Sequence, residues 1–254
     1  MELKEKKVII TGASTGIGYQ VMTRLLARGA NVIAVSRKMS KCDYNHENLI
    51  KLDLDMSSKE SMDKLFDFAV KKFNNIDIFI ANAGFGFYEI IDKPDWEHLL
   101  EIFNINVFSC IYAAEKMKRL NSDRAFNMVI TASAMGYVSV PGYSLYSATK
   151  AALRGFSDAY RYELNKNQRL QVVYPIATKT EFFEAAGNIP MSWPVQSVEH
   201  VADKMIKGII KDKKHIHTSV LFKIFRLIST IFPFALKLYN KPNERKLKNY
   251  LNRK

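Results

Sequence analysis

An α/β fold, a doubly wound parallel sheet covered by helices on both faces, is what this sequence predicts. Three observations carry the prediction. Short apolar runs alternate with longer segments of helical periodicity as far as Ile210. The first run, Val8-Ile9-Ile10, leads through Thr11 into three glycines within seven residues and then a helix-compatible segment. A length of 254 residues suits a single full-sized core rather than two domains.

The glycine stretch comes first. In Gly12-Ala13-Ser14-Thr15-Gly16-Ile17-Gly18 the glycines permit positive φ and close backbone approach, and the following helix offers unpaired N–H groups and the positive end of its dipole. A pyrophosphate fits such a loop. The spacing Gly-x-x-x-Gly-x-Gly lacks the Lys-Ser/Thr ending of an NTP-binding loop, so a nucleoside triphosphate is disfavoured.

A second apolar run, 31–35, ends in Ser36-Arg37-Lys38, and a third, 49–54, carries Asp53. No Asp or Glu stands between Tyr19 and Cys42, where an acid would read a ribose 2′-hydroxyl; Arg37 and Lys38 suit a 2′-phosphate instead. NADP(H) is therefore favoured over NAD(H), the competing reading being a solvated basic pair. Ser57-Ser58-Lys59-Glu60 has the pattern of a capping box ahead of a helix to Phe73. A strand at 76–81, one long helix at 95–120, a strand at 127–132, a helix at 144–164, a strand at 170–174, an irregular stretch to Gln196 and a helix at 197–210 complete the alternation.

Composition excludes several classes. Cys42 and Cys110 are the only cysteines and no Cys/His cluster has metal-ligand spacing, so neither a disulfide framework nor a metal site is expected. Residues 1–7 lack the pattern of a signal peptide, and a cytoplasmic location is expected, with contact at the inner membrane surface as an option. Of the net charge of +13, residues 204–254 hold +12. The charge belongs to a tail, with no motif for nucleic acid beside it.

Tyr146 and Lys150, four residues apart on the 144–164 helix, share one face, and an ammonium beside a phenol lowers the phenol pKa from about 10. Ser133, ending the preceding strand, can aim its hydroxyl at the same place. Taken with Thr11 to Gly18, Asn82-Ala83-Gly84, Asn106 and Tyr146-Ser147-Ala148-Thr149-Lys150, the chain resembles the classical short-chain dehydrogenases/reductases from about residue 6 to 218.

The resemblance implies a Rossmann-type domain over 1–218, hydride transfer between a nicotinamide and a carbonyl or alcohol, and a homodimer or homotetramer. It implies that Tyr146 is the proton donor, that Ser133 polarises the substrate oxygen and that Lys150 binds the nicotinamide ribose. Asn106 is implied to hold a water leading to Lys150, and Asp53 to approach the adenine. Asn82-Ala83-Gly84 would support the central strand and Thr180 contact the carboxamide. Two departures stand out. Pro175-Ile176 replaces a common Pro-Gly, and Thr15 stands where many NADP-dependent members have a basic residue.

The expected substrate is a hydrophobic ketone or secondary alcohol, such as a steroid, acyl or aromatic carbonyl, because Phe85, Phe87, Tyr88, Met135, Tyr137, Tyr143, Phe182, Phe183, Met191 and Trp193 fall in segments that border the pocket. Residues 176–196 are expected to form a lid. Cellular NADPH favours reduction. The alternatives are an NAD-dependent alcohol or hydroxysteroid dehydrogenase, and a dinucleotide sensor without chemistry.

Residues 219–254 form a basic, amphipathic extension in which Leu221, Ile224, Phe225, Ile228, Ile231 and Phe232 share a helical face. Lys223, Arg226 and Pro233 argue against a membrane span. Docking on an anionic membrane and packing against protein both fit the pattern.

Overall fold

The computed structural model describes residues 1–180 and 191–252. Seven parallel strands form one sheet: β1 (Lys7–Thr11), β2 (Asn31–Ser36), β3 (Leu49–Asp53), β4 (Ile78–Ala81), β5 (Phe126–Thr131), β6 (Gln168–Tyr174) and, at the far edge, His215–His217. Two short strands, β7 (Ala177–Thr178) and β8 (Val195–Gln196), pair separately, which makes the edge strand β9. The sheet order is β3-β2-β1-β4-β5-β6-β9.

Helices cover both faces because successive strand residues are apolar on both sides, as a fully buried parallel sheet requires. Val8 and Ile10 face α1 (Gly16–Leu26) and α6 (Val198–Ile210), joining Val21, Met22, Leu25, Met205 and Ile206 in one core. Ile9 and Phe79 face the opposite layer of α2 (Lys59–Phe73), α4 (Ser109–Leu120) and α5 (Ser144–Tyr160), with Leu65, Phe66, Ala113, Met117 and Leu153. Each fully buried aliphatic side chain contributes roughly 1.5–3 kcal/mol.

Three details differ from the sequence expectation. The helix expected over 95–120 is α3 (Trp96–Phe103) and α4 joined by a π-helical turn, Asn104–Phe108. The cap of α2 is Ser58, which accepts from the Ser61 N–H, while an Asx turn from Asp55 holds the Ser57 N–H outside the helix. The edge strand β9 was not anticipated; only Ile216 of its three residues is buried.

Strand order reverses at β1, whose neighbours are β2 and β4, and a crevice opens there beyond the carboxyl ends of the strands. The C-terminal helices α7 (Val220–Ile231) and α8 (Phe234–Leu251) lie over this end. Phe222 packs with Ala134 and Val138, while Tyr239, Leu247 and Tyr250 pack on Tyr88, Val140 and Tyr143. Asn240 donates to the Ser139 carbonyl at 3.1 Å and Tyr239 to that of Trp193 at 3.2 Å. The extension over 219–252 thus packs on the domain through part of its surface.

At the crevice, α1 enters so close beneath the loop that a Cβ on Gly18 would overlap the Gly12 carbonyl oxygen. Gly18→Ala should lower the stability of the ligand-free protein by about 1–3 kcal/mol. Gly155, exposed within α5 with nothing within 4 Å of the place a Cβ would take, is the opposite case. Gly155→Ala should raise stability by about 0.5–1 kcal/mol. Thermal midpoints moving in the same direction for both variants would contradict this packing.

Candidate active site

The crevice is a cavity of about 1030 Å³ running from the glycine loop, past Ser133, Tyr146 and Lys150, to an apolar end under α7 and α8. Gly12 and Gly16 adopt φ of +66° and +57°, which L side chains rarely take. A Cβ on Gly12 would also sit 2.8 Å from the Ala83 Cα. Gly12, Ser14, Thr15, Gly16 and Ile17 line the cavity and α1 begins there, an arrangement suited to an anion through backbone N–H groups and the helix dipole. Gly18 does not line it and serves close packing. The loop, its helix and the size of the cavity fit a dinucleotide.

Asn82 ties the crevice together. Its Nδ2 donates to the carbonyls of Thr11 and Gly12, both at 3.2 Å, and its Oδ1 accepts from the Thr131 hydroxyl at 3.2 Å. The Asn82 and Ala83 N–H groups donate to the Thr11 hydroxyl at 3.1 and 3.0 Å. Gly84 sits where a Cβ would come within 2.7 Å of the Asn106 Oδ1.

Arg37 and Lys38 are exposed on the cavity rim just after β2, and among the described residues neither forms an ion pair with a carboxylate. Asp53 ends β3 with its carboxylate accepting from the Ser40 N–H at 2.7 Å and the Ser40 hydroxyl at 2.5 Å, bonds that hold it below the usual carboxylate range. The cavity wall beside it is made by Leu54, Asp55 and Met56. Thr180 lies across the mouth of the loop, with its Cγ2 positioned 3.3 Å from where a Gly16 Cβ would be.

Ser133, Tyr146 and Lys150 come together at the middle of the cavity. The Ser133 hydroxyl accepts from the Met135 N–H at 3.1 Å and is hydrogen-bonded to the Tyr146 phenol. Lys150 is buried, donates to the Thr131 carbonyl at 3.0 Å, and lies 5.4 Å from the Tyr146 ring centroid. Gly136 lets this turn press onto α5, since a Cβ there would meet the Lys150 carbonyl oxygen at 2.6 Å.

The electrostatics differ from the sequence expectation. Burial pushes the Tyr146 phenol up to about 12, opposed by the Ser133 hydrogen bond, and pulls the Lys150 ammonium down to about 8. Burial dominates at this depth, so the phenol is raised rather than lowered.

Asn106 is fully buried in the π-helical turn. Its amide donates to the Phe85 carbonyl (2.8 Å) and the Thr149 hydroxyl (3.1 Å) and accepts from the Phe85 N–H (3.1 Å). It joins the β4 loop to α5.

Of the residues expected at the pocket, Phe85, Met135, Tyr143 and Trp193 line it. Phe87 stacks on His98 instead, Tyr88 packs between Tyr143 and Tyr250, and Tyr137 is clamped between the guanidinium groups of Arg154 and Arg226 at 4.7 and 4.4 Å. Met191 is half-buried outside the cavity lining and its carbonyl accepts from Lys246. Phe182 and Phe183, with much of the expected lid, lie outside the described residues. Sequence reasoning missed Val138, Val140, Leu221, Phe222, Phe225 and Tyr239 as lining of the apolar end. The signal for the tail residues was the apolar periodicity of 219–232, from which Leu221 and Phe225 reach the cavity. Among the described residues no group of acidic, Cys and His side chains could hold a metal ion.

Comparison with known proteins agrees with this geometry. An uncharacterized oxidoreductase of Schizosaccharomyces pombe is 32% identical over 76% of this chain and 67% of its own length. A Pinus massoniana protein named 11-beta-hydroxysteroid dehydrogenase is 25% identical over 92% of this chain and 73% of its own. A short chain dehydrogenase from Burkholderia cenocepacia, solved with NADP, shares the fold with a TM-score of 0.82 at 20% identity, over 95% and 99% of the two chains. One from Burkholderia phymatum, solved with NAD, gives 0.80 at 17% identity over 91% and 94%. With residues 6–188 matching the family model for short chain dehydrogenase, the chain belongs to the short-chain dehydrogenase/reductase family, oxidoreductases that act on CH–OH or C=O groups with NAD(P).

Proposed function

We propose that this protein is an NADP(H)-dependent reductase of hydrophobic ketones, interconverting them with secondary alcohols. One observation carries the reading: a single cavity joins the glycine loop, with the exposed Arg37 and Lys38 on its rim, to Ser133, Tyr146 and Lys150, and ends in an apolar wall.

The residues divide the task by position. Backbone N–H groups of 12–18 would hold the pyrophosphate, Arg37 and Lys38 the 2′-phosphate, Thr180 the carboxamide, and the Leu54–Asp55 wall the adenine, with Asp53 bracing that wall through Ser40. Bound there, the nicotinamide supplies or accepts the hydride. Tyr146 gives its proton to the carbonyl oxygen as that oxygen gains charge, and Ser133 donates a hydrogen bond to it. Lys150 stabilises the phenolate that Tyr146 becomes and would hold the nicotinamide ribose. Asn106 fixes the spacing between the β4 loop and α5 and thereby positions Lys150. Leu221, Phe222 and Phe225 favour an apolar substrate body. The intact acid argues against a sensor without chemistry.

Replacing the acid tests the mechanism. Tyr146→Phe should reduce kcat by about 10²–10⁴-fold, with NADPH affinity measured by titration calorimetry left nearly unchanged; undiminished turnover would refute the role.

For cofactor choice, Arg37→Ala should weaken NADPH by about 10–100-fold, as loss of a charge-assisted contact does. An equal loss for NADH would refute the assignment.

A pH profile tests Lys150. Its ammonium value lies near 8, below the usual lysine range, so the charge is present below that pH and lost above it, while Tyr146 keeps its proton throughout. The kcat/KM for ketone reduction should hold up to about pH 8 and then fall about tenfold per unit. A profile flat through that range would remove the ammonium from the mechanism.

A further inference from the structure

The helical face expected to be apolar divides: Leu221 and Phe225 reach the cavity, while Ile224, Ile228, Ile231 and Phe232 are exposed. Ile224, Leu227, Ile231 and Phe234 are 52–63% exposed, and Val220 and Leu238 are exposed beside them. The inward side of α7 carries Phe222, half-buried Phe225 and Arg226, and buried Ser229. An apolar strip along two consecutive helices is the mark of an interaction surface rather than of scattered surface residues.

Charge identifies the partner. From Lys213 to Asn243 the chain has no acidic residue, and it carries Lys213, Lys214, Lys223, Arg226, Lys237 and Lys241. Lys223, Lys237 and Lys241 are exposed on the same two helices as the strip. A second copy of this chain would bring an equally basic surface to the contact, whereas anionic lipid supplies both the opposite charge and an apolar layer. No described helix is long and apolar enough to cross a membrane, so the contact is one of lying on the surface.

The same helix also walls the catalytic cavity. Leu221, half exposed, and Phe222 and Phe225 line its apolar end, together with Tyr239 of α8. We propose that α7 and the start of α8 dock on an anionic bilayer, and that the substrate is a lipophilic carbonyl that reaches Tyr146 from the membrane past α7. The access route rests on the reductase reading above; the docking does not.

The test uses the full chain, vesicles of phosphatidylcholine with or without phosphatidylglycerol, and the double variant Ile224→Asp/Leu227→Asp, whose positions lie outside the cavity lining. The wild type should sediment with the anionic vesicles only, and be released by high salt. The variant should stay in the supernatant. With NADPH, both proteins should reduce a short water-soluble ketone equally, while the variant should reduce a long-chain ketone held in anionic vesicles at least tenfold more slowly. Docking is overturned if the wild type stays in solution or if the variant sediments equally. It is also overturned if the wild type is a dimer that the variant converts to a monomer without either binding vesicles, which would assign the strip to a second copy. Equal turnover of the vesicle-held ketone overturns the access route. Failure of both proteins to reduce the water-soluble ketone, with sedimentation as expected, overturns the reductase reading and the route with it but leaves docking established.

Discussion

The crevice end of the molecule depends on one close contact, the seating of Gly18 under the carbonyl of Gly12. That carbonyl accepts from Asn82, Asn82 accepts from the Thr131 hydroxyl, and the Thr131 carbonyl accepts from Lys150. A continuous set of polar contacts therefore links the glycine turn after β1 to the buried Lys150 on α5, across β4 and β5. Asn82 and Lys150 each satisfy a backbone carbonyl, of Gly12 and of Thr131, that would otherwise be stranded where strands end and helices begin. The loop and the lysine are consequently placed relative to each other by the sheet rather than by mobile side chains.

Burial then sets the state of the reactive pair. Burial drives both Tyr146 and Lys150 toward their neutral forms, the phenol up to about 12 and the ammonium down to about 8. A phenol held firmly protonated is the form a proton donor needs. A lysine near 8 is largely charged at neutral pH, and its charge gains most when a phenolate appears beside it in a region of low dielectric. The pair is weakly coupled before the proton moves and strongly coupled after, which is how an interaction acts on a transition state rather than on the ground state.

Much of this was legible in the sequence for identifiable reasons. Strands buried on both faces are continuous apolar runs, so β1, β2, β4 and β5 fall within about two residues of their expected limits. β9 escaped because His-Ile-His gains strand geometry only by pairing with Val172, Val173 and Tyr174. The π-helical turn escaped because 95–120 keeps helical periodicity throughout, and the turn is fixed by Asn106 bonding to Phe85, far away in sequence. Ser133, Tyr146 and Lys150 were legible as a set, and the structure brings them together. The opposite direction of the Tyr146 shift was not, since spacing reveals a neighbour but not the depth at which the two lie. Tyr137 and Tyr88 show the same limit: an aromatic residue near a pocket segment can face a guanidinium or another ring as readily as a substrate.

The C-terminal helices sharpen that limit into an argument. A helical wheel identifies the apolar face of α7 but not the direction in which it points. Packing α7 by its most apolar face would have buried several aliphatic side chains at roughly 1.5–3 kcal/mol each. The fold instead turns Arg226 onto the Tyr137 ring, buries Ser229 with its hydroxyl on the Arg226 carbonyl, and leaves Ile224, Leu227 and Ile231 outside. Arg226 is held there by a specific stack, and Phe222 and Phe225 are needed on the inner side to close the cavity. The constraint at the site therefore fixes the rotation of α7, and the outward apolar strip follows from it. A surface left apolar by such a constraint, and free of acidic residues along its length, gains stability where an apolar, negatively bordered phase meets it.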